Sequence, residues 1–358
     1  MSSTPPITQH PIFISGEAGY HTYRIPALIV TQAGTVLAFC EGRREGRGDA
    51  GAIDILLKRS TDGGLTWSAA QIVWRDGDNT CGNPCPVIDQ ADGTIWLPLT
   101  WNLGTDRESQ IVDGSSQDTR RVFITHSRDD GLTWATPSEI TAQVKPPHWS
   151  WYATGPGVGI QLQHRPYQGR LVIPCDHKVN GDVRRYHAHV IYSDDHGQSW
   201  QLGGVAEDGT NECQVIERGD GSLLLNMRRS EKVSDPYRYV AISQDGGLSW
   251  LPNRADTTLI DPRCQGSIIR HQPADGPAVT LFSNAAHPSQ RTAMTIRASF
   301  DDGESWPIAK VIHAGPTAYS GLTALPDGRL ACLYEGGEAN PYETLTLATF
   351  SLDWLLES

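Results

Sequence analysis

An eight-residue pattern, Ser-x-Asp-x-Gly-x-(Ser/Thr)-Trp, occurs five times without a mismatch in this chain of 358 residues. The copies occupy 60–67, 127–134, 193–200, 243–250 and 299–306. Self-similarity at such spacing marks a repeat architecture in which each copy belongs to one supersecondary unit. Within a copy the chemistry is that of a tight turn. The Asp carboxylate accepts backbone N–H groups across the turn, and the Gly supplies a positive φ that a side chain would oppose. The Ser or Thr hydroxyl adds a local bond, and the Trp ring folds back to bury the turn. Apolar, β-rich runs precede the copies, at 53–57, 122–125, 189–192, 239–242 and 294–296. Each copy reads as the tip of a hairpin, and its role is structural.

Successive copies start 67, 66, 50 and 56 residues apart. A unit of about 60 residues fits a four-stranded antiparallel blade with its connections, and radial repetition of blades solves the edge-strand problem. The expected fold is all-β, a six-bladed β-propeller forming one catalytic domain over 1–358, with no separate lectin module. The sixth unit lacks the turn pattern. Its sheet is expected to include a terminal strand from Leu345 to Leu355, paired with N-terminal residues to close the ring. Two separate β-sandwiches are the alternative, and the regular spacing argues against them.

A net charge of −12 argues against nucleic acid or an anionic membrane as partner. An anionic small ligand then needs a local arginine cluster, because the nearest charges dominate in salt. No apolar run is long enough to cross a bilayer, and none near the N-terminus marks a secretory signal. Membrane insertion is not expected, and a cytoplasmic location is, unless a leader has been removed. The seven cysteines are scattered, and Cys81 and Cys85 lack a second ligand pair at zinc-site spacing. Reduced thiols and no metal are expected.

The stretch Tyr23-Arg24-Ile25-Pro26-Ala27, ahead of the first turn pattern, resembles the Phe/Tyr-Arg-Ile-Pro motif of the sialidase (neuraminidase) family of glycoside hydrolases. With the five repeats behind it, the likeness covers essentially the whole chain. The resemblance implies an exo-α-sialidase acting with retention on sialylated glycoproteins, glycolipids or oligosaccharides, without a cofactor. It also implies roles for particular residues. Three arginines that grip the sugar carboxylate map to Arg24, to Arg228 in Asn226-Met227-Arg228, and to Arg291 ahead of the last repeat. The nucleophile maps to Tyr319, its base to Glu212, and the carboxylate that steadies the first arginine to Glu335. The general acid/base maps to Asp49 in Gly46-Arg-Gly-Asp-Ala-Gly51, and Arg43 resembles an arginine that touches a sugar hydroxyl. Transfer of the sialyl group to another sugar, or a non-catalytic propeller that binds glycan or protein, are the competing functions.

Elementary chemistry supports those residue types. A carboxylate beside the anomeric carbon calls for planar, permanently charged guanidinium donors. Three of them repel one another, so a fixed carboxylate such as Glu335 is needed. The substrate's own charge would repel an anionic nucleophile, whereas a neutral phenol avoids that penalty. A phenol with a reference pKa near ~10 needs a base, here Glu212, and nearby arginines are expected to favour phenolate. Some choices stay open. Arg229 adjoins Arg228 and should face the opposite side by strand alternation. Asp54 is the alternative to Asp49. Trp149, Trp151 and Tyr152 either form a rim that meets the sugar or cap a blade, and Asn83-Pro84 either lines the site or makes a turn.

Overall fold

The computed structural model describes residues 7–181, 186–230 and 234–357. The chain forms a six-bladed β-propeller. Blade 1 runs outward from Thr22–Val30 through Val36–Arg43 and Ile53–Ser60 to Gln71–Trp74. Blade 4 repeats the plan with Thr210–Glu217, Leu223–Arg229, Tyr237–Ser243 and Arg254–Ile260. In blades 2 and 3 the inner strand is broken in two. Thr80–Gly82 and Val87–Ile88 both pair Ile95–Asn102, while Trp149–Thr154 and Ile160–Gln161 both pair Leu171–Val179. Arg121–Ser127 and Ser138–Glu139 complete blade 2, and Tyr186–Ser193 and Gln201–Val205 complete blade 3.

Blade 5 comprises Ser267–His271, Val279–Ala285 and Thr292–Ser299, and shares the long strand Ile308–Ala324 with blade 6. That strand pairs Thr292–Ser299 as far as Pro316, then pairs Leu330–Gly336 from Thr317 onward. Thr344–Phe350 follows, and Ile7–Ile14 pairs with it antiparallel as the outermost strand. The ring is thus closed by the two ends of the chain, as the spacing of the repeats suggests. The last strand is shorter than expected, however. It stops at Phe350, and Leu352–Leu356 is a helical turn, not the continuation of the strand to Leu355. Ser351 caps that turn by accepting the Trp354 N–H, Asp353 lies in its first turn, and Leu355 is buried beneath it.

Every blade is buried on both faces. Val36, Ala38 and Cys40 pack toward blade 6, whereas Leu37 and Phe39 pack toward blade 2, the two-residue period of a strand. Six apolar clusters lie between successive blades around the ring. Burying each such Leu or Val side chain stabilises by roughly 1.5–3 kcal/mol.

The repeated turns form a network of their own. In the first, Ser60 Oγ donates to Asp62 Oδ1 at 2.7 Å and accepts the Gly64 N–H at 2.8 Å. Asp62 also accepts the N–H groups of Leu65 and Thr66 and the Thr66 hydroxyl. The glycine adopts φ +88°, and the residue before it is also left-handed, at +69° for Gly63 and +62° for Asp130 in the second copy. A Cβ on Gly64 would meet Leu347 at 2.9 Å, and one on Gly197 would meet Trp96 at 2.2 Å. These glycines let each turn press against the preceding blade. Ser60 pairs Val36, while Ile53 pairs Arg43. The repeated turns therefore lie at one end of the blades, and Arg24, Arg43 and Glu212 lie at the other.

Candidate active site

At the end of the axis opposite the repeated turns, a cavity of about 420 Å³ opens. Four inner strands lose register there. The irregularities fall between Arg24 and Ala27, Trp149 and Tyr152, Thr210 and Cys213, and Thr317 and Ser320. A bulge re-aims side chains that a regular pleat would send between blades. Ile25 takes φ +60°, an uncommon conformation for a β-branched residue, and its N–H points to Glu335 Oε1 at 2.9 Å. The Arg-Ile-Pro motif is thus a strained bulge that turns Arg24 inward.

Glu335 is 0% exposed. It accepts Arg24 Nε at 3.0 Å and Nη2 at 3.2 Å in a two-pronged pair, along with the Tyr319 N–H at 3.2 Å. Glu212 lies in the blade 4 bulge, opposite Arg228. Arg228 Nη1 donates to Glu212 Oε2 at 2.6 Å and to the Tyr319 hydroxyl at 3.2 Å. The Tyr319 hydroxyl in turn donates to Glu212 Oε1 at 2.5 Å. Arg291 reaches in from the loop before Thr292–Ser299 and donates to the Tyr342 hydroxyl at 2.8 Å. Among the described residues Arg291 has no ion pair, so one of the three guanidinium groups keeps an uncompensated charge. Arg24 and Arg291 lie over the Tyr319 ring, 4.9 and 5.5 Å from its centroid.

Seven of the eight expected residues line this one cavity: Arg24, Arg43, Asp49, Glu212, Arg228, Arg291 and Tyr319. The eighth, Glu335, stands directly behind Arg24. Asp49 sits exposed in the loop between the second and third strands of blade 1, with Arg43 Nη1 at 2.8 Å and Arg24 Nη1 at 3.8 Å. Asp54 is not among the lining residues; it is buried beside Arg75 and Tyr20. Arg229 also lies away from the cavity, as alternation requires.

Residues 34–332 match the BNR repeat-like domain. An exo-alpha-sialidase of Aspergillus fumigatus is 34% identical, over 96% of this chain and 87% of the relative. The chain belongs to the sialidase family. The sialidase of Micromonospora viridifaciens is 38% identical over 98% of this chain, which spans 55% of that relative's length. A Hadza microbial sialidase of known structure superposes with a TM-score of 0.88 at 30% identity, over 98% of this chain and 69% of its own. The intramolecular trans-sialidase from Ruminococcus gnavus has the same fold, with a TM-score of 0.85 at 21% identity, over 97% of this chain and 98% of its own.

In this sialidase the electrostatics of the cavity set the resting protonation of two groups. Burial raises the Tyr319 pKa first, and the Glu212 charge raises it further. Arg228, Arg291 and Arg24 lower it, but they do not win, and the group stays well above the ordinary tyrosine value. The resting side chain is the expected neutral phenol, donating to Glu212. Asp49 behaves oppositely. Partial burial raises its pKa, but the Arg43 and Arg24 charges outweigh that and hold it below the ordinary carboxylate value.

Several lining residues were not anticipated. Glu41 orients Arg43 through bonds of 2.6 and 3.0 Å and also accepts the Asn83 N–H at 2.9 Å. Tyr342 lies under Arg24, 4.5 Å from ring centroid to guanidinium carbon. Asn83 does line the cavity, and the aromatic run divides. Trp151 faces the cavity beneath Arg120, whereas Trp149 and Tyr152 pack between blades 2 and 3. Asp176, Glu108 and Tyr186 complete the blade 3 side. A charged residue interrupting an apolar second strand, as in Leu171–Val179, was the available signal for Asp176.

Proposed function

We propose that this sialidase is an exo-acting enzyme that removes terminal sialic acid from glycoproteins, glycolipids or oligosaccharides with net retention, through a glycosyl-tyrosine intermediate. The observation that carries the reading is the convergence of Arg24, Arg228 and Arg291 around the Tyr319–Glu212 pair. The sugar carboxylate would sit among the three guanidinium groups, with Arg291 offering its uncompensated charge. Binding would place the anomeric carbon above the phenol oxygen. Tyr319 then attacks that carbon, its proton passes along the existing hydrogen bond to Glu212, and the bond to the leaving oxygen breaks.

Asp49 would supply the proton to the leaving oxygen. In the ligand-free site it is held ionised by Arg43 and Arg24, so it must first gain a proton. The incoming carboxylate neutralises part of the field that lowers the Asp49 pKa, and its approach therefore favours the protonated form. After glycosylation, Asp49 is left as a carboxylate able to activate water, which displaces Tyr319 from the opposite face. Two inversions give retention. Proton NMR of a 4-methylumbelliferyl α-sialoside digest tests this directly. The α-anomer of free sugar should appear first and the β-anomer only by later mutarotation; initial release of the β-anomer would contradict the two-step route.

A further inference from the structure

The blade 3 wall of the cavity plays no part in that chemistry. Asp176 lies there in the strand Leu171–Val179, two residues from Lys178 and on the same face. Its polar neighbours are partnered. Lys178 Nζ is 2.7 Å from Glu108 Oε1, to which the Tyr186 hydroxyl also donates. Arg120 donates to Asn83 Oδ1 at 2.5 Å and to the Tyr152 carbonyl at 2.8 Å. Asp176 is 1% exposed, lines the cavity, and has no hydrogen-bond partner on either carboxyl oxygen among the described residues.

Burial, reinforced by the charges of Glu212 and Glu108, pushes its pKa well above the ordinary carboxylate value. Burial thus favours the carboxylic acid form, which has one O–H to donate and a carbonyl oxygen to accept. Leaving both unmade in a buried place is costly, and a ligand that satisfies both recovers the cost. A hydroxyl donates and accepts at one atom. An amide N–H only donates, and an alkyl group does neither.

We propose that Asp176 is a specificity-determining residue that reads a free hydroxyl on the sugar held by the arginines, so that masking this hydroxyl by acylation weakens binding. The inference rests on the sialidase reading and deepens it. A site built to pair a substrate hydroxyl rejects the analogue that cannot pair far more strongly than an apolar pocket does.

The test is a panel of 4-methylumbelliferyl α-glycosides: N-acetylneuraminic acid, its deaminated analogue with a hydroxyl in place of the acetamido group, and forms O-acetylated at single positions. The wild-type enzyme should discriminate at least about tenfold in kcat/KM against one masked or acylated form, mainly through KM. Asp176→Leu should collapse that ratio toward one, whereas Asp176→Asn, which keeps a donor and an acceptor, should preserve most of it. Should the Leu variant fail to fold, Asp176→Ala gives the same readout. An unchanged ratio in the Leu or Ala variant, whatever its overall rate, overturns the role of Asp176, as does a wild-type enzyme indifferent to every masking. No release from any member by the wild type would instead sink the sialidase reading, and this inference with it.

Discussion

The turn at 60–67 and the cavity at the far end of the axis both hold a carboxylate against several donors, yet they are built on opposite principles. Asp62 takes all its partners from within its own turn, from Ser60, Leu65 and Thr66. Glu335 takes Arg24 from 311 residues away, and Glu212 takes Tyr319 from 107 residues away. The same turn network recurs at all five copies of the pattern. The cavity spans the seam where the ring closes, because Arg24 belongs to the first blade and Glu335 to the last. The energetics differ as well. Hydrogen bonds within the turn dominate the ionisation of Asp62 over a smaller opposing effect of desolvation, whereas burial and fixed charges compete at Tyr319 and Asp49. Stability is repeated locally, and chemistry is assembled once, across blades.

Substitutions can break that contrast at graded cost. Tyr319→Phe should have the largest effect, lowering kcat by on the order of 10³-fold or more while leaving the melting temperature close to wild type. Glu335→Ala should damage both properties. It strands a buried Arg24 and two backbone N–H groups, so urea denaturation should show a loss of about 3–5 kcal/mol, with activity falling in parallel. Arg43→Met removes the foremost charge that lowers the Asp49 pKa. The acid form of Asp49 then persists to higher pH, and the alkaline limb of the kcat/KM profile should move upward in pH even as the maximum rate falls.

Asp62→Ala should have the smallest effect, a fall of a few degrees in melting temperature with normal turnover at 25 °C. The pH dependence of the same turn follows from its sign. The Thr66 hydroxyl and N–H hold the Asp62 pKa at about 2, so the folded state favours the ionised form. Its contribution is present above the unfolded carboxylate value near ~4 and is lost as pH falls toward the folded value. Wild type and variant should therefore converge in stability through that acid range.

The same division explains what could be read from the chain. The five repeated turns were legible because every bond they need lies within eight residues, and their spacing carried the blade count. The arginines, Tyr319, Glu212 and Glu335 were legible through the family likeness and the chemistry of a carboxylate ligand. The broken inner strands of blades 2 and 3 and the left-handed Ile25 were not, because bulges follow from what must face the axis. Tyr342 and Asp176 escaped for the same reason, since their neighbours are remote in sequence. The neutral phenol at Tyr319, its base Glu212 and the pull of the arginines were legible from the chemistry, whereas the dominance of burial was not, because burial is a property of the closed ring. The helical turn at Leu352–Leu356 was missed although Ser351 and Asp353 supply a capping signal, because its leucines fit a strand equally well.

The convergence of three guanidinium groups on one phenol is tested most directly by trapping. Incubation with 2,3-difluorosialic acid, followed by intact-mass analysis and peptide mapping, should show one sugar bound per chain, on the peptide that contains Tyr319, and no adduct in Tyr319→Phe. An adduct on Glu212 or Asp49 in the wild-type enzyme would contradict the account.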